Sequence, residues 1–244
     1  MTSTRTLASS SVVIVGCGGL GVPAAWTCAA AGVGRLILCD DDAVEVSNLH
    51  RQVLYSESDA AASRAKVVAL ADALQRRFPH VELVPVARRL VGSDDLRALV
   101  AGADGLLEGS DDPCLKFAAC DALLALRGAE RPPVGVIAAA IGRRGQYFGQ
   151  LATGACFRCL FEAPPPAAAV AGCRVAGILG PVALEVGAFA ARSLIRLLKG
   201  QPDAVAGALM RLQSGRLDRV AVTVAADCPC RALEPRHSGV HPRP

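Results

Sequence analysis

The stretch Val12-Val13-Ile14-Val15-Gly16-Cys17-Gly18-Gly19-Leu20-Gly21 decides the fold. Four aliphatic residues in a row, three of them valine, read as a strand buried on both faces. The glycines that follow read as a tight turn opening a helix, predicted over Pro23–Ala31. Such a turn lets the backbone approach a phosphate, whose charge the helix N-terminus meets. The segment from Leu7 to Gly34 carries no charge, but Gly16, Gly18, Gly19, Gly21 and Pro23 would break a membrane-spanning helix near its middle. A membrane is therefore not an expected partner.

Outward from this stretch, apolar runs at Leu36–Cys39, Val81–Val86, Gly105–Leu107 and Val134–Ala138 predict further strands. Arg64–Phe78, Asp94–Val100 and Cys114–Leu126 predict the helices between them. Strands alternating with helices point to right-handed βαβ units and an α/β, doubly wound, mostly parallel sheet. Hydrophobic residues make up 52% of the 244 but aromatics only 4%, so Ala, Val and Leu must supply the core. After Gly145 the texture changes. Tyr147–Ala152 is followed by a Cys-containing hairpin, a Pro/Ala-rich connection over Ala163–Val170, a helix at Leu179–Lys199 and a strand-like Ala221–Val224. Residues 1–233 read as one domain, and 234–244, with Pro235, Pro242 and Pro244, as a disordered tail.

A net charge of +4, with no Lys/Arg stripe interleaved with aromatics, argues against nucleic acid as a partner. Of ten cysteines, Cys17, Cys28, Cys39, Cys114 and Cys120 are scattered through apolar segments, where isolated cysteine behaves as a small hydrophobe. Others form the pairs Cys156-Phe-Arg-Cys159 and Cys228-Pro-Cys230, which suit a tetrahedral thiolate Zn²⁺ site better than a secreted disulfide framework. The competing reading of these pairs is four reduced, unliganded thiols.

Asp40 ends the second strand, where an acidic side chain can accept from ribose hydroxyls. Alone, the glycine turn and Asp40 would equally fit a NAD-dependent oxidoreductase. The loop Asp40-Asp-Asp42-Ala-Val-Glu45-Val-Ser47-Asn48-Leu49-His50-Arg51-Gln52 adds more. It lies just past a strand's carboxyl end, where ligands of open α/β sheets bind. Arg51 offers a planar fork for phosphate, Asn48 an orienting amide and Lys66 a point charge. That set suits a triphosphate attacked at its α-phosphorus. Lysine occurs only at 66, 116 and 199 in this arginine-rich chain, which makes each one informative.

The glycine turn, the Ser-Asn-Leu-X-Arg-Gln string inside the Asp40–Gln52 loop and the cysteine pairs resemble the ThiF/MoeB/HesA branch of the ubiquitin-activating enzyme superfamily, over Ser11–Cys230. The resemblance implies an adenylyltransferase that uses ATP and Mg²⁺ to activate the Gly-Gly carboxyl terminus of a small ubiquitin-like (β-grasp) sulfur carrier protein, for cofactor or natural-product biosynthesis. It also implies a cytoplasmic homodimer and a structural four-cysteine zinc site. Carried over residue by residue, it puts Gly18, Gly19 and Gly21 under the nucleotide and Asp40 on the ribose. Asp42, Asn48, Arg51 and Lys66 surround the phosphates, and Asp111 of Ser110-Asp111-Asp112 becomes the Mg²⁺ ligand. Cys173 corresponds to a cysteine that, in the thiamin branch, becomes covalently linked to the carrier. Arg51, Lys66, Asp111 and Cys173 are thus the expected catalytic set. Departures are Asp112 for the family's Asn, Lys116 for an Arg, Ser63 for a Gly, and Arg5 as the only cation ahead of the first strand. A degenerate relative that binds carrier or nucleotide without adenylation is the non-enzymatic alternative.

Overall fold

The run Ser11–Val15 is buried along its whole length as strand β1 because it pairs on both sides, with β2 (Arg35–Cys39) and with β4 (Gly105–Glu108), each in parallel. The computed structural model describes residues 6–166, 177–202 and 205–233. Among these, one eight-stranded sheet has the order β3 (Glu82–Val86), β2, β1, β4, β5 (Val134–Ile141), β6 (Arg144–Gln150), β7 (Ala208–Gln213), β8 (Arg216–Ala221). The first five strands are mutually parallel and the last three join antiparallel. The fold is therefore α/β with a mostly parallel, doubly wound sheet.

Strand periodicity sorts the core into two layers. Val12 and Ile14 face a cluster with α1 (Gly21–Ala30) and α3 (Lys66–Arg77). The short α2 (Glu57–Ala61) precedes α3 in the chain. Val13 and Val15 face the opposite cluster, with α4 (Gly92–Val100) and α5 (Pro113–Ala125). After the four-residue α6 (Phe157–Leu160), the long α7 (Gly180–Leu198) returns to the first layer, packing Ala183, Val186, Ala190, Ala191 and Leu194 there. Each fully buried aliphatic side chain contributes about 1.5–3 kcal/mol relative to exposure, so this Ala/Val/Leu core needs few aromatics.

Four details differ from the sequence reading. The strand read at Ala221–Val224 is instead β8, which ends at Ala221, and its partner β7 was not anticipated. Ser214 and Gly215 join the two as a two-residue turn with φ of 52° and 75°, the left-handed pair that matches strand twist. Cys159 lies on a helical turn, α6, with Cys156 at its N-cap, not in a hairpin, because the backbone folds back to bring the two thiols together. Cys114 is exposed on the first turn of α5, whereas Cys17, Cys28, Cys39 and Cys120 are buried as expected. Cys173, most of the Pro/Ala-rich connection and the tail from 234 onward lie outside the described residues. No helix among the described residues is long and apolar enough to cross a membrane.

Candidate functional site

The order in which strands are added to the sheet switches sides between β1 and β4, and a cavity of about 400 Å³ opens at the carboxyl ends of the parallel strands β1, β2 and β4. A crevice at this point is intrinsic to the doubly wound topology, because the loops after neighbouring strands depart to opposite faces.

The glycine turn forms its floor. Gly16, with φ of 83°, passes so close to the β4–α5 turn that a β-carbon would lie 2.7 Å from Ser110 N. A β-carbon on Gly21 would lie 1.8 Å from the Gly16 carbonyl oxygen, so only glycine lets the loop close onto α1. Gly18 and Gly19 line the cavity, while Gly21 stands behind the loop and does not. The N–H groups of Gly18, Gly19 and Leu20 have no acceptor among the described residues, leaving a row of donors at the start of α1 for an anion. Tyr55, buried, donates to the Cys17 carbonyl at 2.6 Å and pins the loop from below.

Asp40 sits between the loops. One carboxylate oxygen accepts Cys17 N–H at 2.6 Å and the other Asp42 N–H at 2.8 Å. Burial raises its pKa, opposed by the Lys66 ammonium and by those two N–H groups. Lys66 opens α3, is 5% exposed, and donates to Asp42 Oδ2 at 2.6 Å. Its backbone N–H also reaches the Asp42 carbonyl, so strand end and helix start are tied twice. The Asn48 amide donates to Glu45 at 3.1 Å, and its oxygen accepts from the Arg51 guanidinium. This relay holds the Arg51 fork over Gly19, whose missing side chain makes room for the arginine stem.

The far wall is the β4–α5 turn. Glu108, fully buried, accepts Ser110 N–H at 2.9 Å, the Ser110 hydroxyl and Lys116 Nζ at 2.7 Å. Lys116 spends its other donors on the Ser110 and Ala138 carbonyls, at 2.8 and 2.7 Å. Burial raises the Glu108 pKa, against the opposing pull of Lys116 and Ser110. Asp112 caps α5 by accepting Cys114 N–H at 2.8 Å, which leaves the adjacent Asp111 carboxylate on the cavity wall with no hydrogen-bond partner among the described residues.

Eight expected residues thus meet on one cavity: Gly18, Gly19, Asp40, Asp42, Asn48, Arg51, Lys66 and Asp111. An oxygen donor set containing an unpaired carboxylate fits Mg²⁺, which takes one or two carboxylates together with substrate phosphates. Sequence reasoning passed over Arg88, Arg89, Glu108 and Ile178, and quoted Gln52 only as the end of the loop string; all of them line or brace the cavity. An acid ending an otherwise apolar strand was the available signal for Glu108. Lysine scarcity was the signal for Lys116.

The four cysteines converge elsewhere. Their sulfurs all lie within 4.8 Å of one another, with Cys156–Cys159 at 3.8 Å and Cys156–Cys228 and Cys159–Cys230 at 3.4 Å. Zinc bonded to four thiolates at about 2.3 Å in a tetrahedron sets sulfurs about 3.8 Å apart, so the donor set fits that ion. The Cys-X-Cys spacing does not prevent closure, because Cys228 and Cys230 each approach a different member of the first pair. Arg127 clamps both halves, donating to the Cys230 and Gly154 carbonyls at 3.2 Å each.

Comparison with known proteins follows the same lines. "Adenylyltransferase and sulfurtransferase MOCS3" from Sus scrofa is 42% identical over 208 residues, covering 84% of this chain and 43% of that protein. The Drosophila yakuba protein of the same name is 40% identical over 209 residues, with 84% and 44% covered. The chain therefore spans less than half the length of these relatives. Among solved structures, Escherichia coli MccB superposes with a TM-score of 0.77 at 20% identity, over 97% of this chain and 68% of that one. PaaA superposes with 0.71 at 20% identity, over 90% and 66%. The ThiF family model matches residues 1–232, from ahead of the glycine turn to past the last cysteine pair, and by that match the chain belongs to the ThiF family.

Proposed function

We propose that the chain is an ATP-dependent adenylyltransferase that activates the C-terminal Gly-Gly carboxylate of a small ubiquitin-like sulfur carrier protein. The observation that carries this reading is one cavity that gathers N–H donors of the glycine turn, Arg51, Lys66 and the Asp111 carboxylate, the donors and the carboxylate having no hydrogen-bond partner among the described residues. A hydride-transferring dinucleotide enzyme needs no such cationic set, and the MOCS3 likeness points the same way.

The reaction asks little of acid–base groups. The carrier carboxylate is already the nucleophile; its oxygen forms a bond to the α-phosphorus while the bond from that phosphorus to the β-bridging oxygen breaks and pyrophosphate departs. The protein must align the two and neutralise developing charge. Arg51, oriented by Asn48, and Lys66, held by Asp42, do so from the loop side. Asp40 offers its carboxylate to the ribose. Asp111 would hold Mg²⁺, which when bound shields the phosphate charge. Zn²⁺ at the four cysteines plays a structural part. Cys173 is not needed for acyl-adenylate formation. We also read the chain as a cytoplasmic homodimer, on the family resemblance.

ATP–pyrophosphate exchange, measured with a panel of Gly-Gly-terminated carriers, tests the proposal. Carrier-dependent exchange is expected, and Asp111→Ala should lower it on the order of a hundredfold or more, with the protein still folded. Tight binding of ATP without exchange for any carrier would sink the enzymatic reading in favour of an adaptor.

A further inference from the structure

His50 sits between Leu49 and Arg51 with its side chain at the surface, yet both of its ring nitrogens are engaged. Nδ1 lies 3.1 Å from the Ser47 carbonyl oxygen, and Nε2 lies 3.4 Å from one terminal nitrogen of Arg51. A carbonyl oxygen only accepts, so Nδ1 carries the ring hydrogen and donates it. A guanidinium only donates, so Nε2 is the bare, accepting nitrogen. The two neighbours therefore select one tautomer. The other would set N–H against N–H at Arg51 and turn a lone pair toward the Ser47 oxygen. The backbone supports the placement: Val46–Asn48 form a 3₁₀ turn, and the Asn48 carbonyl accepts Arg51 N–H at 3.1 Å. The start of α7 closes on the same loop, where a β-carbon on Gly180 would lie 2.7 Å from the His50 carbonyl oxygen.

The consequence falls on Arg51. One terminal nitrogen of its guanidinium donates to His50 Nε2 and the other to Asn48 Oδ1. Asn48 alone would leave the planar group free to turn about a single bond; two fixed points set its plane as well as its place. The arginine stem rests over Gly19 and the side chain lines the cavity, with N–H groups left over for a ligand. We propose that His50 is a positioning residue for the adenylation reaction, its Nε2 fixing the plane of the Arg51 guanidinium while its Nδ1–H anchors the ring to the Ser47 carbonyl. The assignment rests on the function proposed above and deepens it. His50 itself touches no substrate. It acts by holding a donor that would otherwise have to reorient as charge develops on the phosphate.

The experiment has a spectroscopic and a kinetic arm. Nitrogen NMR of the histidine rings, with His50→Gln used to assign the signal among four histidines, reads which nitrogen holds the hydrogen. A free histidine side chain favours Nε2; His50 should hold it on Nδ1. Carrier-dependent ATP–pyrophosphate exchange is then compared in the wild type, His50→Gln and His50→Asn, with melting temperatures alongside. Glutamine can place its Oε1 near the position of Nε2 and still accept from Arg51, whereas asparagine reaches only the position of Nδ1. Both variants should melt close to the wild type. His50→Asn should lower kcat about tenfold, the scale of one hydrogen bond to a charged group, and change the KM for ATP less, while His50→Gln stays within about threefold of the wild type. Hydrogen on Nε2 in the folded protein, equal losses in the two variants, or no loss in either would overturn the assignment and leave adenylation standing. A wild type that exchanges with no carrier removes the proposed reaction, and the role of His50 in it, whichever tautomer is found.

Discussion

At the scale of single residues, the site depends on a buried ion pair that touches no substrate in the proposed reaction. Lys116 meets three acceptors from β4, the β4–α5 turn and β5, so its ammonium is fully coordinated and fixes where Asp111 begins. Removing one partner of a buried pair leaves an uncompensated charge and costs about 3–5 kcal/mol. Lys116→Met should therefore lower thermal stability sharply, and the double variant Glu108→Gln/Lys116→Met should recover much of the loss. A single variant that melts like the wild type would show the pair to be dispensable. Glu108 and Lys116 were each visible in the sequence as an anomaly, an acid after Leu106-Leu107 and a lysine among arginines. Their pairing was not, since a turn and a helix start put them eight positions apart in the chain and only the sheet brings β5 beside both.

At the scale of elements, local signals predicted most of what they could reach. The five parallel strands and the long helices lie close to where aliphatic runs and helical spacing put them; β1, β2, β4 and most of β5 are buried by neighbours of the kind their pattern demands, while β3 is a half-exposed edge. The hairpin of β7 and β8 escaped notice although Ser214-Gly215 stands between alternating runs, for β8 is an exposed edge strand with little apolar signal. The short α2 was missed too; its stability is local. Ser56 and Asp59 form a capping box, and hydrogen bonds from the Ser56 hydroxyl and N–H lower the Asp59 pKa to about 2. The unfolded value is roughly 3.9, so the folded value is depressed and the stabilisation is complete above that pH. It drains away as pH falls toward about 2. Ser56→Ala should cost about 1 kcal/mol at neutral pH. In denaturant titrations at decreasing pH, the gap between wild type and variant should close; a gap constant down to pH of about 2 would contradict the box as its cause.

At the scale of the whole molecule, two distant stretches are joined by sulfur. Cys156 and Cys159 follow β6, Cys228 and Cys230 follow β8, and Arg127 at the end of α5 bridges both. Zinc held there would staple the antiparallel extension onto the α5 layer. One zinc per chain is expected by elemental analysis, and a strong chelator should lower the melting temperature while the parallel half keeps its secondary structure. Purified protein that is metal-free and equally stable would leave four reduced thiols instead. What the sequence alone determined is the part written in short windows: a strand, glycine turn and helix at residues 12–31, an acid at the end of the second strand, the Asn48–Arg51 string, two cysteine pairs. Periodicity and turn chemistry act over a few residues, so those features survive without three dimensions. Tertiary structure alone decided which of them share a wall. The sheet order brings Asp111 and Arg51 to one cavity, hands the helix cap to Asp112, sets Gly21 behind the loop, and leaves the Gln52 carboxamide oxygen buried without a partner among the described residues. Burial and unmet hydrogen bonds are properties of packing, and packing joins residues that no sequence window contains.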